Sequence, residues 1–128
     1  MSILDLLLET DIEKLKSDNS QNIEIKRLSK VLGEKFIVTC HPLTHEDVTH
    51  IGEVSKTNVD MKLNAIFEAC RLEGKKFNNE DLMKKFDVVS AKDLLNKLFL
   101  PGEVSAMYNV VNEISGYGKD AVKEVKKN

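Results

Sequence analysis

The amino-acid sequence predicts a mainly α, α+β protein: a compact helical domain of about five to six helices with one small N-terminal β-hairpin. Three observations carry that reading. Apolar residues recur at i, i+3, i+4 and i+7 in several separate runs, as in Leu63, Ile66, Phe67 and Cys70, which is one face of an amphipathic helix. Ser, Thr or Asn stands immediately before four of these runs, where its side-chain oxygen can cap a first turn. The period drops to two only between Ile23 and Cys40.

Taken in order, residues 1–16 form an N-terminal helix. Ile3, Leu4, Leu7 and Leu8 lie at helical spacing, and Ser2 with Asp5 makes a capping box. The polar stretch 17–22, SDNSQN, reads as a linker. A single helical domain spans 23–116 and opens with the hairpin 23–41. Its strands are marked by Ile23 and Ile25 and by Phe36, Val38 and Cys40, with Lys30-Val31-Leu32-Gly33-Glu34 as the turn. Pro42 stops the second strand. Thr44 and Asp47 form another capping box opening a helix over about 45–55, with Leu43 and Val48 placed as a staple across its start.

The core helix is expected over 59–73, with Gly74 at its C-terminus. Asn79 caps a short helix at 80–86, and Ser90 with Asp93 opens AKDLLNKLFL, where Ala91, Leu94, Leu95, Leu98 and Phe99 all match the helical template. Leu100-Pro101-Gly102 is a stop and restart, because proline is accommodated at the first position of a helix and not in its interior. The last helix carries Val104, Met107, Tyr108, Val111 and Ile114 and ends at Gly116. Residues 117–128 read as a tail.

Composition narrows the function. A chain of 128 residues is one domain by size, and at this length folding buries roughly 65–70% of the unfolded surface. With 19 Lys and Arg against 21 Asp and Glu, the net charge of −2 provides no general field for nucleic acid. Cys40 and Cys70 are too far apart for a CxxC site. An acidic residue follows the first leucines where a secretory signal would place a cation, so the chain reads as intracellular with reduced thiols. No apolar run approaches the ~20 residues of a membrane span.

Phosphate-binding glycine loops, nucleophile elbows and HExxH are absent from the sequence, and no cofactor is expected. Only CHPLTHEDVTH, residues 40–50, resembles a ligand cluster. Cys40 and His41 are adjacent on a strand and face opposite ways, and a spacing of five turns His50 well off His45 on a helix. Inward packing of Cys40 and surface or capping histidines account for this corner better than a metal does. The larger signal is the excess of apolar residues on the two helices around the LPG hinge. Helical stripes usually face inward, and Leu98 is expected in the core. Met, Phe and Tyr are also common at adaptable interfaces, so a groove receiving a partner helix is placed on Phe99, Leu100, Val104, Met107, Tyr108 and Val111. The Leu-rich helix 1–16, marginal alone in water, predicts a homo-oligomer.

The wording of three stretches resembles a known family. DLLNKLFLPGEVSAMYNVVNEISGY at 93–117, LGEKFIVTCHPLTHEDV at 32–48 and NNEDLMKKFDVVSAKDLL at 78–95 are similar to the XkdN-like tail assembly chaperones of contractile-tailed phages and phage-derived elements of Gram-positive bacteria. The resemblance runs from about residue 25 to 117. It implies a non-enzymatic protein of the host cytoplasm, absent from the finished particle, that keeps the tape measure protein soluble and helps the tail tube protein assemble around it. The alternative from a different class is a small regulatory or metal-binding module built on the Cys40 to His50 corner. A gene neighbourhood holding a tube-protein gene and a very long tape measure gene separates the two.

Overall fold

The computed structural model describes residues 1–16 and 19–126. Two short helices come first, α1 (Ile3–Glu9) and α2 (Ile12–Leu15), followed by strand β1 (Gln21–Glu24), helix α3 (Lys26–Leu32) and strand β2 (Ile37–Cys40). Helices α4 (His45–Val54) and α5 (Asn58–Ala69) then lead into strand β3 (Cys70–Leu72). The chain finishes with α6 (Glu80–Lys85), α7 (Ala91–Leu98), α8 (Pro101–Asn112) and a wide helical turn over Glu113–Tyr117. The mainly α, α+β class is as the sequence predicts.

The helix starts follow the capping residues. Ser2 Oγ accepts from Asp5 N while an Asp5 carboxylate oxygen accepts from Ser2 N, and Thr44 with Asp47 repeats the reciprocal pair. Asn79 accepts from Leu82 N and Ser90 from Asp93 N at the starts of α6 and α7.

The region read as a hairpin is corrected in two ways. Strands β1 and β2 do pair antiparallel, with Ile23 opposite Val38, but their connection is helix α3 and not a turn at Lys30–Glu34. Ile25 and Leu28, three residues apart, are both buried, so one helical turn places both in the core, where a strand would separate them. Gly33 at φ 75° then ends α3 in the left-handed region. The second correction is a third strand. The expected helix 59–73 stops at Ala69, and Cys70–Leu72 extends to pair with β2, Cys40 lying opposite Cys70, so the sheet order is β1-β2-β3. Gly74 at φ 79° belongs to the tight turn between Leu72 and Lys75 and caps no helix.

The N-terminal helix is interrupted at Thr10, whose backbone is extended. Of the expected linker 17–22, residues 17 and 18 lie outside the described residues; Gln21 and Asn22 belong to β1. Residues 127 and 128 of the expected tail also lie outside them.

The core sits between the sheet and helices α5, α7 and α8. Phe77 and Phe36 both meet Phe99 edge-on, with ring centroids 5.7 and 6.1 Å away. The hinge at Leu100-Pro101-Gly102 is held by one ion pair. Arg27 of α3 donates through Nε and Nη2 to Glu103 at 2.9–3.3 Å and through Nη2 to the Leu98 carbonyl at 2.8 Å, while Glu103 accepts from Leu100 N at 2.8 Å. The last carbonyl of α7 and the first amide of the restart are thereby satisfied from one carboxylate–guanidinium pair. The unexpected helix α3 thus fixes the angle of the predicted corner.

Candidate functional site

Helices α4, α5 and α8 leave an apolar groove of about 360 Å³ open between them. Each contributes one helical face: Val48, Ile51 and Gly52 from α4, Met61 and Ala65 from α5, Tyr108 and Asn112 from α8. These are i, i+3 and i+4 relations, so the groove is the seam where three amphipathic stripes face each other without closing. Ile51 and Ala65 are buried and form its floor; Val48 and Tyr117 are exposed at its edge. At Gly52 an added Cβ would meet nothing within 4 Å, so the absent side chain leaves the groove wide on the α4 side.

The wide turn closes the far end. Ser115 Oγ donates to the Val111 carbonyl at 2.6 Å and accepts from Leu43 N at 2.9 Å, which binds the end of α8 to the segment leading into α4. Gly116 takes φ 92°, and the reversal it permits sets Tyr117 beside Leu43 on the groove wall. On the opposite wall Tyr108 Oη lies 4.0 Å from Met61 Sδ, and Lys62 Nζ stands 5.9 Å from the Tyr108 ring centroid.

The six residues on which the sequence places partner binding separate here. Phe99, Val104, Met107 and Val111 are core side chains, the last two fully enclosed. The α8 members of this set lie on a helix that packs along α5 and β2, while Phe99 packs against Phe36 and Phe77. Leu100 is exposed at the hinge, and Tyr108 lines the groove. Sequence reasoning missed the α4 face. Val48, Ile51 and Val54 form a thin stripe, and thinness was the available signal: a helix with few apolar residues covers its neighbours incompletely.

The Cys40 to His50 corner is divided by the fold. Cys40 is fully buried against Cys70, with Sγ atoms 3.6 Å apart and both thiols free. The Cys70 thiol donates in that contact, and the hydrogen bond, followed by burial, raises its pKa well above the ordinary thiol value. His41 Nδ1 lies 2.7 Å from Ser20 Oγ, and His45 and His50 are exposed on α4. Among the described residues no three His, Cys, Asp or Glu side chains converge as a metal site requires. No helix among them is long and apolar enough to cross a membrane.

The described residues thus form a small α+β domain with an open, helix-lined apolar groove that holds few polar groups. The chain belongs to the phage XkdN-like tail assembly chaperone family, whose model matches residues 4–127 and so takes in α1 and α2 as well as the body. No curated protein and no solved structure matches it.

Proposed function

We propose that this tail assembly chaperone acts without catalysis, by receiving an apolar helix of the tape measure protein in the α4–α5–α8 groove. In the host cytoplasm it keeps that partner soluble while the tail tube protein assembles around it, and it leaves before the particle is complete. The observation that carries the reading is the groove itself, with a floor of Ile51 and Ala65 and adaptable Met61 and Tyr108 on one wall. A helix laid into it would bury apolar surface on both partners, at about 25 cal/mol per Å² removed from water. Family membership supports the tail-assembly role.

Gly52→Arg tests the site. Gly52 lines the groove and has open space where a Cβ would stand, so the fold should survive the larger side chain and partner binding should fail. Co-expression with a tape measure fragment gives the readout, with a thermal melt as the control. Wild type should keep the fragment in the soluble fraction and Gly52→Arg should not. A folded Gly52→Arg chain that still solubilises the fragment would rule out this groove.

A further inference from the structure

Cys40 and Cys70 are the only cysteines of the chain, and both are fully buried. The sheet sets them directly opposite each other on the antiparallel strands β2 and β3. One step further along, His41 N donates to the Ala69 carbonyl at 2.8 Å, so the neighbouring pair His41 and Ala69 is a hydrogen-bonded one. Hydrogen-bonded and non-hydrogen-bonded pairs alternate along an antiparallel ladder. Cys40 and Cys70 are therefore a non-hydrogen-bonded pair, the closer kind, with Cα atoms roughly 4.5 Å apart and side chains on one face. That spacing falls within the roughly 4.4–6.8 Å that a disulfide spans. The Sγ atoms are already in contact at 3.6 Å.

The place of the pair in the chain gives a bond there a consequence. Between Cys40 and Cys70 the chain leaves the sheet and returns to it, carrying α4, α5 and six of the residues that line the groove, from Leu43 to Ala65. A disulfide would close this excursion at its base. β3 is three residues long and forms an edge of the sheet, so Cys70 can part from β2 without moving another strand, which opens a route for a small oxidant. The two sulfurs also differ. Cys70 donates its S–H to Cys40, which holds the Cys40 thiol below its ordinary pKa, while the same contact and burial raise that of Cys70. Cys40 is the sulfur poised to attack first.

We propose that Cys40 and Cys70 are an oxidation site for hydrogen peroxide, closing to an intramolecular cross-strand disulfide that ties together the base of the α4–α5 excursion. The Cys40 thiolate attacks one peroxide oxygen, the O–O bond breaks, and the departing hydroxide takes the proton that Cys40 released, leaving a sulfenic acid and one water. The Cys70 sulfur then attacks the Cys40 sulfur, the S–O bond breaks, and the Cys70 proton leaves with that oxygen in a second water. Two thiols are oxidised by two electrons and one peroxide is reduced by two. This chemistry is independent of what occupies the groove.

The full chain, reduced and then freed of reductant, is exposed to hydrogen peroxide at a dose that consumes both thiols of the same chain unfolded in urea. Mass spectrometry should show the loss of two hydrogen atoms, a peptide linking Cys40 to Cys70 and no thiol left to alkylate, in a product that light scattering finds no larger than before. The bond should raise the melting midpoint by roughly 5–15 °C, and dithiothreitol should return it to its starting value. Under the same treatment Cys70→Ala should show no rise. Wild-type thiols that stay free, a sulfinic acid at either position, bonds between chains, or a linked product that melts no higher than the reduced chain would each overturn the proposal, and so would a rise in Cys70→Ala. The wild-type readouts decide the outcome even where the variant fails to fold.

Discussion

Helices α1 and α8 carry the same kind of pattern and meet opposite fates. In α8, Val104, Met107 and Val111 repeat at helical spacing and all three are buried. In α1, Ile3, Leu4, Leu7 and Leu8 repeat in the same way and none is buried. The difference lies outside either helix. α8 packs along α5 and the sheet, and its start is tied to α3 by the Arg27–Glu103 pair, whereas no residue of α1 is buried. An apolar stripe specifies that a helix has a face to cover, and the rest of the chain decides what covers it. In α1 the side chains of that stripe stay exposed.

The contrast can be broken most forcefully by placing a carboxylate on each side of it. Leu95→Asp buries a charge with no partner at a fully enclosed site, which should cost several kcal/mol and abolish the cooperative thermal melt. Leu8→Asp, on an exposed side chain, should leave the melt of the monomer unchanged within about 0.5 kcal/mol. Equal damage from both would mean that α1 is part of the core.

A gentler truncation sharpens the same comparison. Met107→Ala should cost about 2–5 kcal/mol by chemical denaturation, because its side chain is fully buried in the core cluster and leaves an enclosed cavity. Retention of near wild-type stability would show that the α8 stripe is loosely packed.

Glu103→Gln probes the tether that distinguishes α8 from α1. The Arg27 guanidinium holds the Glu103 carboxyl below the ordinary carboxylate range. A depressed folded-state value contributes stability above the unfolded pKa of about 4.3, and that stability is lost as pH falls through the lower folded value. The variant should therefore melt lower than wild type at neutral pH, with about 1 kcal/mol coming from the weakened cap on Leu100 N. The gap should narrow progressively below about pH 4. A gap that stays constant from pH 7 to pH 3 would mean that the charge of Glu103 does not matter.

The smallest effect concerns the groove. Gly52 lies inside α4 at an ordinary helical φ with open space at its Cβ, so Gly52→Ala should raise stability by about 0.5–1 kcal/mol through the unfolded chain's lost freedom. A destabilised Gly52→Ala would show that the groove wall is tighter than its geometry indicates.

Much of this molecule is legible from local chemistry. The starts of α1, α4, α6 and α7 follow from Ser2, Thr44, Asn79 and Ser90, because a capping oxygen reaches an amide only two or three residues away. The restart at Pro101 and the terminus near Gly116 are equally local, being set by ring geometry and by the left-handed φ that glycine permits. The helix α3, the strand β3 and the composition of the groove depend on partners distant in sequence. Lys26–Leu32 coils because Leu28 finds the core and Arg27 finds Glu103, 76 residues away. Cys70–Leu72 leaves the helical path because β2 offers it an unpaired edge. Whether Met107 or Tyr108 faces a partner was undecidable from their spacing, since both lie on the apolar side of one helix. The sequence by itself determined where α1, α4, α6, α7 and α8 begin, through contacts a few residues long; the tertiary structure alone decided that α3 coils, that α5 stops at Ala69 and which stripes meet, leaving Met107 enclosed, Tyr108 on a groove wall and α1 uncovered.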